Sequence, residues 1–378
     1  MKKNRGQSPK SNPRSRSARR PLVNPRSRSA RRPLVRGPKF QRIAAEEAWA
    51  PPEILARYKK LLEEKPASWD PGFHSLWGFF LGQTTRATQL VTRIQDLGER
   101  RLADMDASGI AKQLVFLTAP GVQVFDAQTA VSLSKTLNDQ LSEEIKKHPD
   151  RFAGLAAIAP QSPRDAAKEM ERGVKKLGLK GAVINSHTQG EYLDDPKYWE
   201  IFEAAQALGV PIYLHPSTPP AGMIQPFLAR GLEGAIYGFA VETGLHMLRL
   251  VLAGVFDRFP RLAMVLGHLG EGLPFWLFRL DFMHRAMVAA NRYEGVRALK
   301  KKPSEYLKEN VWVTTSGMQW APAILYTLSV LGTDRVLYAM DYPYQFVPEE
   351  VRVTDELPIS DADRKKLYQS NAEQVFKL

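Results

Sequence analysis

The sequence predicts an α/β protein: a single (β/α)8 barrel, the TIM-barrel fold, preceded by a disordered basic tail. From Phe40 onward, short apolar runs alternate with longer amphipathic stretches, which is typical of parallel strands joined by crossover helices. Eight such runs can be counted. The first is not followed by a glycine-rich phosphate-binding fingerprint, which an open dinucleotide-binding sheet would carry there. A closed barrel therefore fits better than an open sheet.

The strands and helices follow this alternation in order. The strands are predicted at residues 42–48, 113–118, 152–159, 181–187, 211–215, 262–268, 311–316 and 336–341. Helical patterns lie at residues 97–108, 127–147, 163–177, 197–207 and 243–257. Several strands are apolar on both faces, as expected where helices cover the outside of a barrel and side chains fill its inside.

Two long segments follow predicted strands and belong to the same end of the barrel. Residues 51–92, which we interpret as a loop, contain Trp69, Phe73, His74, Trp77, Phe79 and Phe80. Such a dense aromatic segment either caps the barrel mouth or shapes a pocket for a flat ligand. Residues 216–243, after the fifth strand, are rich in Pro and Gly. Both segments are expected at the carboxyl ends of strands.

The composition limits the class of protein. A chain of 378 residues, 44% of them hydrophobic, can bury the core of one large catalytic domain. There is no cysteine, which excludes disulfides, thiolate catalysis and Cys-ligated zinc and leaves His, Asp and Glu as metal ligands. No apolar run reaches the roughly 18 residues that span a bilayer, and we expect a soluble, cytoplasmic protein.

The net charge of +13 belongs to the N-terminal segment. Of the 53 Lys and Arg residues, 14 lie in residues 1–40, which hold no Asp or Glu, so 39 remain against 40 acidic residues. This segment contains a perfect tandem repeat, residues 12–23 and 24–35, that is too polar to bury a core. We expect residues 1–39 to be a disordered tail and residues 40–378 to be the barrel. The tail is either an arm that binds nucleic acid or, as we favour, a solvated extension.

Four predicted strands end in side chains that bind metals. Glu46 lies near the end of the first strand, His215 ends the fifth, His268 the sixth and Asp341 the eighth. The carboxyl ends of barrel strands converge on one mouth, so these residues become neighbours. Two imidazoles and two carboxylates suit Mn²⁺, Zn²⁺ or Fe²⁺. The sequence therefore predicts one divalent metal site without an organic cofactor.

The residues around these ligands resemble the amidohydrolase-2 family. The matching motifs are Leu214-His215-Pro216, the octapeptide from Gly267 to Pro274, and Met340-Asp341-Tyr342-Pro343. Residues 98–106 and 148–152 are also similar, so the resemblance covers residues 40–378 and excludes the tail. In that family the first strand commonly ends in His-x-His or Glu-x-His, whereas this chain has Glu46-Glu47-Ala48. Glu-Glu-Ala at this point resembles the 5-carboxyvanillate decarboxylases, relatives of γ-resorcylate decarboxylase.

The resemblance implies a function and a ligand set. Glu46, His215 and Asp341 would bind the metal, most suitably Mn²⁺ with Zn²⁺ as the alternative, and His268 would ligate it or sit beside it. The implied reaction is the non-oxidative decarboxylation of a phenolic aromatic acid, such as 5-carboxyvanillate to vanillate and CO2, by a carboxy-lyase. Two alternatives stay open: a metal-dependent hydrolase of the same superfamily, and a nucleic-acid-binding protein that uses the basic tail.

Further side chains are candidates for catalysis and substrate binding. Asp341 is expected to donate a proton to the ring, and His268 with Glu271, three residues apart, to manage the phenol proton. Arg279 and Arg86 are each suited to pair with a carboxylate. Tyr344 is a candidate partner for the phenol. His187 ends the fourth strand and either reaches the mouth or makes a structural hydrogen bond. The expected partners are a small aromatic acid and further copies of the chain in a dimer or tetramer, with no membrane.

Overall fold

The computed structural model describes residues 40–378, and the tail with its tandem repeat lies outside the described residues. The described part contains nine strands: β1 Ile43–Trp49, β2 Lys112–Leu117, β3 Phe152–Gly154, β4 Ala156–Ala157, β5 Ala182–Asn185, β6 Ile212–His215, β7 Met264–Leu266, β8 Val311–Thr314 and β9 Val336–Leu337. Every paired neighbour runs parallel, in the orders β1-β2-β3 and β4 to β9.

The two groups of strands join into one closed barrel. Between β3 and β4, the backbone N–H of Leu155 still donates to the carbonyl of Val115. The backbone N–H of Ala156 donates instead to the carbonyl of Gly181. The third predicted strand is therefore one run that changes partners, which divides it in two. On the other side, Ala45 donates to the carbonyl of Tyr338 at 2.9 Å and Ala48 to that of Tyr342 at 2.8 Å. These bonds join the first strand to the last, and the predicted (β/α)8 barrel is confirmed.

Helices follow the strands as expected for crossover connections. They are α1 Pro52–Glu64, α2 Pro71–Phe80, α3 Thr85–Gln95, α4 Glu99–Ser108, α5 Ala127–Lys147, α6 Pro163–Leu177, α7 Trp199–Leu208, α8 Gln225–Leu228, α9 Gly238–Leu252, α10 Val255–Arg258, α11 His268–Glu271, α12 Leu273–Ala289, α13 Pro303–Glu309, α14 Ala321–Leu331, α15 Val351–Asp355, α16 Asp361–Lys365 and α17 Asn371–Phe376. Short 3-10 turns occupy Pro196–Tyr198, Thr333–Arg335 and Pro348–Glu350, and a π turn occupies Lys366–Ser370.

The aromatic segment after β1 is helical, so its interpretation as a loop is wrong. It forms α1, α2 and α3, and the side chains of Asp70 and Thr84 cap α2 and α3 by accepting from backbone N–H groups three residues on. The aromatic residues form a core of their own, in which the rings of Tyr58 and Trp77 lie 4.6 Å apart. Burial of these rings stabilises the helices and builds one wall of the barrel mouth.

The barrel interior is filled by side chains from alternate positions of the strands. These are mainly apolar, among them Ile43, Phe116, Val265 and Leu337, with Tyr213 near the top. A larger apolar layer fills the space between the barrel and the outer helices. None of the helices in residues 40–378 has the length and apolar character that crossing a bilayer requires.

Candidate metal centre

Glu46, on β1, offers one carboxylate oxygen to the barrel mouth. Its Oε2 atom accepts hydrogen bonds from the Tyr213 hydroxyl and from Thr314 Oγ1, the latter at 2.5 Å. Its Oε1 atom is buried and has no hydrogen-bond partner. The backbone of Gly267 passes so close that a Cβ atom there would lie 2.8 Å from Oε1. A glycine at this position therefore makes room for the carboxylate.

His215, at the end of β6, presents a neutral ring nitrogen to the same oxygen. Its Nδ1 atom lies 3.0 Å from the carbonyl of Pro216, which assigns the proton to Nδ1 as the donor. Its Nε2 atom lies 3.8 Å from Glu46 Oε1. Burial lowers the pKa of His215 to about 4. The lone pair on Nε2 is consequently free to bind a metal at neutral pH.

His268 follows β7, the neighbour of β6, and its ring is held by Glu271. Its Nδ1 atom lies 2.7 Å from Glu271 Oε1, and its Nε2 atom lies 3.9 Å from Glu46 Oε1. Burial opposes the charged imidazolium, but the negative charges of Glu271 and Glu46 outweigh burial and raise the pKa to about 10. A divalent cation beside Nε2 would compete with that proton. The turn from His268 to Glu271 has left-handed backbone angles, with φ between 50° and 82°, which aim both side chains into the mouth.

Asp341 follows β9 and also has a left-handed backbone, with φ of 68°. Burial raises its pKa to about 8; the positive charge of His268 opposes this shift, and Glu46 adds to it. A Cβ atom built on Gly317 would lie 3.2 Å from His268 and 3.5 Å from Asp341 Oδ2, which places these two side chains around the same glycine. The fourth predicted ligand thus lies beside the third, whose Nε2 atom faces Glu46 Oε1.

Glu47 is a residue to which the sequence analysis gave no role. It is fully buried, and its two oxygens accept the backbone N–H groups of Met340 and Tyr342, each at 3.0 Å. These two residues flank Asp341, so Glu47 clamps the backbone on both sides of it. The buried guanidinium of Arg101 donates to the carbonyl of Ala48, and its positive charge favours the ionised form of Glu47. The sequence signal that could have indicated this role is the presence of a second acidic residue, Glu47, in a strand that is otherwise apolar and buried.

These side chains fit a divalent metal. Within the part of the chain that the structure describes, no three His, Asp or Glu side chains lie close enough together to enclose an ion. The two Nε2 atoms instead stand 3.8 and 3.9 Å from Glu46 Oε1. Two ligands that each lie about 2.1 Å from a shared ion are separated by roughly 3 to 4 Å. A buried carboxylate oxygen without a partner is costly, and a cation would satisfy it.

A cavity of about 320 Å³ opens onto this centre. Its lining includes Leu76, Phe79, Phe80, Arg86, Thr118, His215, Phe239, His268, Asp341, Tyr344 and Gln345. The Tyr344 hydroxyl lies 2.5 Å from Thr118 Oγ1, and burial raises the pKa of Tyr344, so it is a neutral hydrogen-bonding group. Two of the predicted substrate-binding residues, Arg86 and Tyr344, therefore line the cavity together with three of the predicted metal ligands.

Two predicted substrate-binding residues do not reach this cavity. Arg279 is exposed on α12, because this helix turns position 279 away from the barrel. His187 lines a separate cavity of about 690 Å³. Its Nε2 lies 2.9 Å from the carbonyl of Thr218, and its Nδ1 accepts the N–H of Gly190. Both ring nitrogens of His187 thus make hydrogen bonds within the loops, and substrate binding by Arg279 and His187 stays a prediction.

Comparison with known proteins identifies the class. The amidohydrolase family model matches residues 88–378, and the chain belongs to this family. It is 37% identical over 298 residues to γ-resorcylate decarboxylase of Polaromonas, covering 77% of this chain and 90% of that protein. The Rhizobium γ-resorcylate decarboxylase is 34% identical over 345 residues, covering 89% of this chain and 98% of that protein.

Among solved structures, the chain is similar to 5-carboxyvanillate decarboxylase of Novosphingobium aromaticivorans. The two are 50% identical, with a TM-score of 0.88 and coverage of 90% of this chain and 97% of that chain. That structure contains manganese and 4-hydroxy-3-methoxy-5-nitrobenzoic acid. The 5-carboxyvanillate decarboxylase of Sphingomonas paucimobilis is 39% identical, with a TM-score of 0.85 and coverage of 90% and 99%.

Proposed function

We propose that this chain is a manganese-dependent carboxy-lyase that removes CO2 from a phenolic aromatic acid, with 5-carboxyvanillate as substrate and vanillate as product. The observation that carries the proposal is the unpartnered Glu46 Oε1 atom, which faces two imidazole nitrogens at the floor of an aromatic cavity that also contains Asp341. The similarity to named decarboxylases supports the reaction class. Neither a redox step nor an organic cofactor is needed for this reaction.

The ion would be held by Glu46, His215 and Asp341, with His268 as a further ligand or neighbour. When bound, it supplies the Lewis acidity that favours ionisation of a phenol. The aromatic walls formed by Phe79 and Phe80 would hold a flat ring and exclude water from it. Arg86, at the rim of the cavity, would pair with a substrate carboxylate.

The proton for the reaction would come from Asp341. Direct loss of CO2 would leave an unstable aryl carbanion, so the ring carbon that carries the carboxylate has to be protonated first. Burial, which raises the pKa of Asp341 to about 8, helps this carboxyl to carry a proton near neutral pH, whereas a nearby cation would act against it. Where His268 does not ligate the ion and a nearby cation has displaced its Nε2 proton, the neutral imidazole, hydrogen-bonded to Glu271, would take up the phenol proton at Nε2. CO2 then leaves and aromaticity is restored.

A decarboxylation assay tests the function. The manganese-loaded chain should consume 5-carboxyvanillate, followed by ultraviolet absorbance, with release of one CO2 for each vanillate formed. Removal of the metal with a chelator should abolish turnover, and Mn²⁺ should restore it. A hydrolase of the same fold would instead release a new carboxylate from an amide or lactone without CO2. Metal-loaded protein that leaves 5-carboxyvanillate unchanged would contradict the proposed substrate.

The assembly and location of the protein belong to the same proposal. We expect the chain to act as a homo-oligomer, a dimer or tetramer, in the cytoplasm. The nucleic-acid alternative depends on residues 1–39, which lie outside the described residues, and the neutral charge of the rest of the chain does not support it.

A further inference from the structure

The motif of residues 98–106 contributes no side chain to the cavity at the metal centre. Residues 99–106 of this motif belong to α4, and Arg101 among them is completely buried. A buried guanidinium is costly unless other groups compensate its charge and accept its N–H groups. The contacts that compensate Arg101 therefore indicate what this motif does.

The guanidinium of Arg101 is used at all three of its nitrogen atoms. Nε donates to the carbonyl of Asp96 at 3.2 Å, Nη1 to Gln113 Oε1 at 3.0 Å and Nη2 to the carbonyl of Ala48 at 2.7 Å. The central carbon of the group lies over the ring of Tyr342, 4.0 Å from the ring centroid. The face of an aromatic ring attracts a cation, more strongly where water is excluded. Because Tyr342 follows Asp341 in the chain, Arg101 packs directly against the turn that carries this carboxylate.

A chain of hydrogen bonds also leads from Arg101 to the same turn. Gln113 Oε1 accepts from Arg101, which orients the amide so that its Nε2 atom lies 3.4 Å from Glu47 Oε2. Glu47 in turn accepts the backbone N–H groups on both sides of Asp341, each at 3.0 Å. Arg101 therefore supports the Asp341 backbone both by the ring contact and through Glu47.

Asp104, one turn further along α4, holds the other end of the Tyr342 side chain. The Tyr342 hydroxyl donates to Asp104 Oδ2 at 2.8 Å, and the same oxygen pairs with Arg93 Nε at 3.3 Å. Arg101 and Asp104 are three residues apart, so they lie on one face of the helix. This face of α4 fixes the ring of Tyr342 at its flat side and at its hydroxyl.

The turn at Asp341 needs support because its backbone is left-handed, with φ of 68°. Residues other than glycine adopt this region at a cost and keep it only where the surrounding structure holds it. A relaxed backbone would turn the carboxylate away from His268 and from the proposed ion. We propose that Arg101 is a positioning residue for Asp341: together with Asp104, it fixes the turn that presents this carboxylate at the metal centre. The inference rests on the proposed function, in which Asp341 binds the metal and donates the proton.

Arg101→Lys tests the inference, because one ammonium group cannot replace the forked donors of the guanidinium or its stacking on Tyr342. The Kd for Mn²⁺, measured by calorimetry without substrate, should rise about 10- to 100-fold, the range usual when a partner that orients a metal ligand is lost. At saturating Mn²⁺, kcat should fall while KM changes little, because Arg101 does not line the cavity. A purely structural role would lower the midpoint of thermal unfolding but leave the Kd of the folded protein unchanged.

Tyr342→Phe is a milder second variant. It keeps the ring beneath Arg101 and removes only the hydroxyl that donates to Asp104. The Kd for Mn²⁺ should rise in the same direction as in Arg101→Lys but by less, because one of the two contacts that fix the ring remains. This variant also decides the question if Arg101→Lys does not fold.

Arg151→Lys is the matched control. Arg151 also anchors α4, through a 2.7 Å ion pair with Asp106 and hydrogen bonds to the carbonyls of Ile110 and Ala111. These contacts lie at the carboxyl end of the helix and beyond it, whereas Arg101 lies in its first turn. Arg151→Lys should therefore lower the stability of the fold and leave the Kd for Mn²⁺ unchanged.

Three results would overturn the inference. One is a folded Arg101→Lys protein with the wild-type Kd and kcat, and another is a folded Tyr342→Phe protein with the wild-type Kd. The third is an equal rise of Kd in Arg151→Lys, which would assign the effect to the general stability of α4. A wild-type chain that binds Mn²⁺ but leaves 5-carboxyvanillate unchanged would contradict the proposed function instead, and the comparison of Kd values would still decide this inference.

Discussion

At Glu46, a single carboxylate shows how residues prepare a site for a metal. Tyr213 and Thr314 saturate Oε2, while Oε1 is buried without a partner and faces His215 and His268. Hydrogen bonds to one oxygen fix the orientation of the group, so the other oxygen is held ready for a ligand. The same division occurs at both histidines, whose Nδ1 atoms are engaged by Pro216 and Glu271.

Substitution of Asp341 separates catalysis from binding. Asp341→Asn keeps the shape and a neutral oxygen ligand but removes the transferable proton. We expect turnover to fall beyond the roughly 10²- to 10⁴-fold that loss of a general acid costs, because metal binding also weakens. The measurement is steady-state kinetics on protein whose manganese content has been determined.

Arg86→Lys is the control for this prediction. It keeps the charge but loses the bidentate geometry, and should mainly raise KM. A metal-loaded Asp341→Asn enzyme that turns over near the wild-type rate would remove Asp341 from the acid role and point to His268.

Glu47 is expected to be a positioning residue for Asp341. In Glu47→Gln, the amide can accept from only one of the N–H groups of Met340 and Tyr342, and the other loses its partner at a cost of about 1 to 3 kcal/mol. The Asp341 backbone should then loosen, which lowers Mn²⁺ affinity measured by calorimetry and lowers kcat more than it changes KM. Glu63→Gln, at an exposed position, should change neither. A folded Glu47→Gln protein with wild-type Mn²⁺ affinity would limit Glu47 to a structural role.

Among the elements, the barrel strands were predictable from sequence and the helices at the mouth were not. Strands that are apolar on both faces give a strong local signal, and their polar last residues mark the mouth. The helices between Pro52 and Gln95 were interpreted as a loop although α1 and α3 are amphipathic, because the dense aromatic residues of α2 lie on several of its sides and hide a helical period. The sequence did not show that α12 turns Arg279 away from the cavity of its own chain, because spacing alone does not fix which face of a helix packs on the barrel.

Helix α9, in the connection after β6, contains a buried histidine that should make the fold sensitive to acid. His246 Nε2 accepts the N–H of Leu193, its Nδ1 lies 3.3 Å from Ser186 Oγ, and burial lowers its pKa to about 3. Because the folded pKa lies below the unfolded value of about 6.5, the stabilisation is complete above pH 6.5. It is lost progressively as the pH falls toward 3.

Denaturant unfolding at two pH values measures this effect. Between pH 8 and pH 5 the His246 contribution should reduce the free energy of unfolding by about 2 kcal/mol. His246→Gln lacks the titrating group, so it should be less stable at pH 8 and lose less stability on acidification than the wild type. Equal pH dependence in the two proteins would show that His246 does not titrate between the states.

For the whole molecule, charge and catalysis are located in different parts of the chain. The excess positive charge lies in residues 1–40, whereas the proposed ligands and cavity residues all lie beyond it. A chain that lacks residues 1–39 should therefore keep its turnover number within about twofold of the full chain. Steady-state kinetics on both proteins with equal manganese content checks this, and a large loss of kcat would assign the tail a role in catalysis.

The most direct measurement for the central claim is the fate of the ring carbon that loses its carboxylate. In deuterated water, the manganese-loaded wild-type chain should convert 5-carboxyvanillate into vanillate with one deuterium at that carbon and one CO2 released for each turnover. Proton NMR and mass spectrometry of the product report both quantities. Product without deuterium at that carbon, or substrate consumed without CO2, would contradict decarboxylation by protonation of the ring.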